Sequence, residues 1–156
     1  MTFEPVRLTT AQRAAYRSTC YRIELTRPLT LIAGTYSHEL TGLLRKHGVD
    51  CALVLSAHNP FDQKKLSAAS NRKRDEKFRA RLDALGLAYL DAMLLPGAQP
   101  DAVQTPAAEK AGYMVLGGAT ALGELLLTEF EQNALLWCPT GGTPELMLHR
   151  QVRQAG

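Results

Sequence analysis

The residues best equipped for chemistry lie between positions 56 and 74. Ser56-Ala-His58-Asn59-Pro60 places a hydroxyl, an imidazole and an amide directly after an apolar run, and Ser67 to Arg74 adds Asn71 and a guanidinium. Histidine is the side chain whose charge changes near neutral pH. Arginine presents a planar fork that grips phosphate or carboxylate. If the protein is an enzyme, this pattern points to hydrolase or transferase chemistry, with His58 as acid/base and Arg74 holding an anion. The candidate ligand-binding residues are Ser56, Asn59, Asn71 and Arg74, with Gln132 contributed from further along the chain.

Stronger signatures are missing. Ser56 and His58 would share a strand face, but no third group is evident and no Gly-x-Ser-x-Gly elbow exists. His38, His47, His58 and His149 are scattered, with no His-x-x-x-His and no neighbouring cysteine, so no metal site is expected. Gly117-Gly118 lacks the Gly-Lys-Ser/Thr of a phosphate loop and reads as a tight turn. Gln132-Asn133, at the end of the last helix, reads first as a pair that caps carbonyls. No cofactor is implied.

These residues need elements to position them. Val49 to Ala57 is a strand with apolar residues on both faces, as expected of one covered on both sides. After the loop His58 to Gln63, a helix runs from Ser67 to Leu85 and stops at Gly86. At about 100° per residue, Phe78, Leu82 and Leu85 fall within a sector of about 60°, which defines the buried face. Asn71 falls inside that sector and Arg74 about 20° beyond it, so both point inward, towards His58 and Asn59. An inward guanidinium requires a partner, either an anionic ligand or a protein carboxylate such as Glu109. The helix dipole favours an anion at the same place.

Further strands are expected at 21–25, 29–33, 87–95, 113–116, 135–138 and 145–148, the last two paired around Pro139 to Pro144. Further helices are expected at 11–19, from Ser37 or Thr35 to His47, and at 120–132 with Leu122, Leu125, Leu126 and Phe130 inward. Strands alternating with helices predict a single α/β domain. It would be a three-layer-like sandwich with a mixed, partly parallel sheet, about four helices and right-handed βαβ crossovers. The core would span residues 11–148, with 1–10 and 149–156 as loose termini.

Bulk properties bound the function. With 156 residues, 46% hydrophobic and 21% charged, the chain has the size and balance of one globular domain. It holds no apolar run of the roughly 18 residues needed to cross a bilayer, and no secretory signal is expected at its start. Three cysteines without a Cys-x-x-Cys pair fit a reducing, cytoplasmic setting. The net charge of +3 is too mild to define a nucleic-acid protein, yet residues 64–81 hold eight basic residues against Asp75 and Glu76.

The succession Ser56-Ala-His-Asn59-Pro60, Leu66-Ser67…Asn71-x-x-Arg74, Val115-Leu-Gly117 and Phe130-Glu-Gln132-Asn-Ala134 resembles the bacterial domain-of-unknown-function family 3293. The likeness runs from about Tyr16 to Met147. That family's pattern is similar to Thr-Ala-x-Asn-Pro, Leu-Ser-x-x-Glu-Asn-x-x-Arg and Phe-Gly-Gln, which carries over Asn59, Pro60, Asn71, Arg74 and Gln132. This chain departs from it with Ser56 for Thr, Ser70 for Glu and Glu131 for Gly. A family Glu before the fourth strand falls near Glu109 or Lys110. The resemblance implies no established activity.

Two functions follow as expectations. One is a small-molecule site for an anionic, phosphate- or carboxylate-bearing, nucleotide-like ligand at the C-terminal end of the central strand. The other is a non-enzymatic regulatory module that binds RNA or a protein through the basic helix 64–81. Neither implies a membrane, and both leave a homo-oligomer open.

Overall fold

The computed structural model describes residues 3–96 and 109–154. Its elements run α1 (Thr10–Arg17), β1 (Cys20–Ile23), β2 (Leu29–Ile32), α2 (His38–Lys46), β3 (Cys51–Leu55), a 3-10 turn (Pro60–Asp62) and α3 (Ala68–Ala84). They continue with β4 (Tyr89–Leu95), β5 (Lys110–Leu116), α4 (Thr120–Glu129), β6 (Ala134–Pro139), β7 (Glu145–Leu148) and α5 (Arg150–Gln154). Apart from Pro96, the loop expected at 96–106 lies outside the described residues.

The seven strands form one sheet in the order β2-β1-β4-β5-β3-β6-β7, and every neighbouring pair is antiparallel. The expected mixed, partly parallel sheet is therefore incorrect. The reason lies in adjacency. β3 and β4, joined through α3, run in the same direction, but β5 lies between them. β5 and β6, joined through α4, also run in the same direction, but β3 lies between them. A helical connection sets the direction in which the next strand returns and leaves open which strand it lies beside. Beyond β2, the Gly34 N–H donates to Pro144 O just before β7, at 2.8 Å, so the two edges of the sheet meet at one end and the sheet curls.

Strict alternation sorts the core onto two faces. Ala52, Val54, Met114, Leu136 and Cys138 join Tyr21, Ile23, Leu31 and Leu94 on one face, under Leu40 and Leu44 of α2. Leu53, Leu55, Val115 and Leu135 meet Phe78 and Leu82 of α3 and Leu126 and Leu127 of α4 on the other. Burying Phe78 and Leu82, each worth about 1.5–3 kcal/mol, sets the rotational phase of α3. Leu85 departs from the expected phase and is 40% exposed, because α3 ends at Ala84 and Leu85 is its C-cap. In α4 the buried face turns towards Leu127, leaving Leu125 exposed. The ends are also less loose than expected: Leu8, His149 and Val152 are buried. Gly112 permits the close approach of β5 to the end of β3, since a Cβ there would lie 2.5 Å from Leu55 O. Among the described residues, no helix is long and apolar enough to cross a membrane.

Candidate functional site

The chain leaving β3 turns sharply. Asn59, Phe61 and Asp62 all have positive φ, at 54°, 51° and 53°. Asparagine and aspartate tolerate this region, whereas a phenylalanine there is an outlier. Such residues cost on the order of 1–3 kcal/mol each and persist where their surroundings over-determine them, typically at functional sites.

The surroundings here are the polar residues singled out in the sequence. Asn71 Oδ1 accepts from Asn59 N at 3.0 Å, and Asn59 Oδ1 accepts from Leu66 N at 2.9 Å and Asn71 Nδ2 at 3.1 Å. Arg74 donates from Nε to Ala57 O at 2.6 Å and from its terminal nitrogens to Phe130 O at 2.7 Å and Glu131 Oε1 at 3.2 Å. Its carboxylate partner is thus Glu131, not Glu109. Gln132 Nε2 donates to His58 O and Phe130 O, both at 3.0 Å. Asn133 Nδ2 donates to Phe61 O at 2.7 Å, while the Phe61 N–H reaches Glu131 O at 2.6 Å. Ser56 Oγ donates to Ala111 O at 2.7 Å and ties β3 to β5 where the ladder stops. Segment 130–133, itself turned by Glu131 at φ 53°, is the anvil on which the loop is shaped.

The loop borders a cleft of about 340 Å³ at the C-terminal end of β3. Asn59 and Gln132 line it, whereas Ser56, His58, Asn71 and Arg74 do not. The other polar groups around it are Gln12, Tyr16, Thr19, Tyr21, Asp62, Lys64, Lys65, Lys110 and Asn133, with Ala15, Leu94, Pro96 and Ala134 as apolar walls. Asp62 is held twice: it accepts from Tyr16 OH at 2.5 Å and from Lys110 Nζ at 2.9 Å. Burial, and then the adjacent Asp62 charge, push the Tyr16 phenol well above its ordinary range, so it stays protonated. Among the described residues, three lysines against one carboxylate leave the cleft lining net positive.

His58 belongs to a separate cluster towards α3. Its Nε2 lies 3.8 Å from Asp75 Oδ1, while Asp75 Oδ2 accepts from Tyr113 OH at 2.5 Å and lies 3.6 Å from Arg79 Nε. Burial lowers the His58 pKa from its ordinary value; Lys110 and Arg74 push the same way and Asp75 opposes them. Among the described residues, no group of three or more His, Cys, Asp or Glu could hold a metal.

Sequence reasoning found the end of the sheet and the residues that shape the loop, but missed most of the cleft lining. Tyr16 and Tyr21 come from α1 and β1, far from the motif in sequence. Asp62 looked like an ordinary loop residue, and Asn133 was read as a possible helix cap. Their shared position comes from the strand order, which no local spacing encodes.

The fold and site together define a protein of α and β elements with a curled antiparallel sheet and, among the described residues, a small, positively charged cleft at one sheet end. No family model, curated protein or solved structure matches the chain.

Proposed function

We propose that this protein binds a small anionic molecule, bearing a phosphate or carboxylate, in the cleft at the C-terminal end of β3. One observation carries the reading. A loop with positive φ at three of four residues, Asn59, Phe61 and Asp62, is held by the side chains of Asn71, Gln132 and Asn133 beside a cleft that gathers Lys64, Lys65 and Lys110. Strain maintained at that cost is suited to presenting groups to a ligand. The cleft volume falls at the small end of ligand sites, roughly 300–1,000 Å³, which favours a metabolite over a polymer. Arg74 serves this site by positioning, since its guanidinium is engaged by Ala57, Phe130 and Glu131. His58 stands outside the cleft, so the reading is one of binding.

The alternative, an RNA- or protein-binding module using helix 64–81, has weaker support. Arg74, Arg79 and Arg81 are drawn onto Glu131, Asp75 and Glu129, which pairs half of the basic residues of α3 with carboxylates. Membership of family 3293 remains part of the proposal. It is supported by Glu131, which adopts φ 53° at the position where that family's pattern has glycine.

The test is a thermal-shift screen of inorganic phosphate, nucleotides and small carboxylates against wild type and a Lys64→Ala/Lys65→Ala variant. A ligand at a hundred times its Kd should stabilise wild type by about 2.7 kcal/mol, and the variant by much less. A wild-type melting temperature unmoved by the whole panel would overturn the reading.

A further inference from the structure

The floor of the cleft differs from its rim. Tyr21, on β1, is 2% exposed and lines the cleft, where its hydroxyl stays accessible and makes no side-chain hydrogen bond with the described residues. Asn133, 4% exposed, lines the same cleft; its Nδ2 is used by Tyr16 OH and Phe61 O, while its Oδ1 is buried without a partner. More than about 90% of buried polar groups in folded proteins are paired. The buried, unpaired Asn133 Oδ1, with the Tyr21 hydroxyl open to the same small cleft, therefore marks a place prepared for a complementary molecule.

The charges restrict which end of that molecule enters. Asp62 takes the Tyr16 hydroxyl that also receives Asn133 Nδ2, and Lys110 is already paired with Asp62, so an anionic group would be repelled there. Lys64 and Lys65 form no ion pair among the described residues and can receive an anion. The inner end must be neutral, carry an acceptor for Tyr21 and a donor for Asn133, and present apolar faces to the walls at Leu94 and Ala134. A sugar would bury its hydroxyls against those walls, whereas a flat heterocycle would not.

Building on the anion-binding reading, we propose that the ligand is a nucleoside phosphate, with its base edge on Tyr21 and Asn133 and its phosphate at Lys64 and Lys65. Base recognition is thus separate from phosphate capture, and the two can be removed independently.

Calorimetric titration of the full chain with the nucleoside monophosphates, ribose 5-phosphate and inorganic phosphate tests this. At least one nucleoside monophosphate should bind at least tenfold more tightly than ribose 5-phosphate. Tyr21→Phe should weaken that nucleotide on the order of tenfold, as expected for one lost hydrogen bond, and leave ribose 5-phosphate unchanged. Should Tyr21→Phe fold poorly, intermolecular NOEs from base protons to the Tyr21 ring in the wild type provide the same evidence. Ribose 5-phosphate binding as tightly as every nucleotide, a nucleotide indifferent to Tyr21→Phe, or no NOE to Tyr21 would refute base recognition while leaving anion binding intact. Failure of every phosphate to bind would refute both.

Discussion

The loop after β3 and the floor of the cleft sit side by side and treat polar groups in opposite ways. In the loop frame, Asn59 Oδ1, both ends of the Asn71 amide and the guanidinium of Arg74 are spent on one another, on backbone carbonyls or N–H groups and on Glu131. At the floor, Asn133 Oδ1 is buried without a partner and the Tyr21 hydroxyl opens to the cleft. The difference separates shaping from binding. A polar side chain satisfied by its own protein holds geometry, and one left unsatisfied beside a cleft is available to a ligand.

The largest expected effect tests the shaping half. Arg74→Gln removes three donors from Ala57 O, Phe130 O and Glu131, and should destabilise the fold by roughly 3 kcal/mol in chemical denaturation. A loss below about 1 kcal/mol would place Arg74 among the spare groups and break the contrast. Asn59→Ala comes next. It leaves Leu66 N and Asn71 Nδ2 without their acceptor and should cost on the order of 1–3 kcal/mol. An unchanged denaturation midpoint would reassign Asn59, which also lines the cleft, to the ligand alone.

The smallest effect concerns His58 and sharpens the comparison by giving the α3 side a signature of its own. Its folded pKa lies below the ordinary 6.5, mainly through burial. The unfolded chain therefore takes up the proton first as pH falls, and stability present above about pH 6.5 is lost on acidification through that point towards the folded value. His58→Gln should flatten this part of the stability profile below about pH 6.5 without altering ligand binding. Parallel profiles for the two proteins would show that another group governs the window.

Much of the local structure was legible. Ser67 caps α3, Ser37 caps α2, and the inward placement of Asn71 and Arg74 followed from the spacing of Phe78 and Leu82. The partner of Arg74 was not legible, because Glu131 and Glu109 are equivalent choices until the end of α4 is placed against the loop. Nor was the sheet: alternating strands and helices suggested parallel neighbours, and each such pair is separated by a strand running the other way.

By itself, the sequence determined what short-range physics controls: where helices start and stop, which faces are apolar, and which residues crowd the end of β3. Periodicity and capping act within a few residues and leave their mark in the local pattern. Only the tertiary structure decided strand order, and with it the union of Tyr16, Tyr21, Asp62, Lys110 and Asn133 at one cleft. Which strands lie together is chosen by how two apolar faces are best covered at once, an energy spread over the whole sheet and recorded in no single segment.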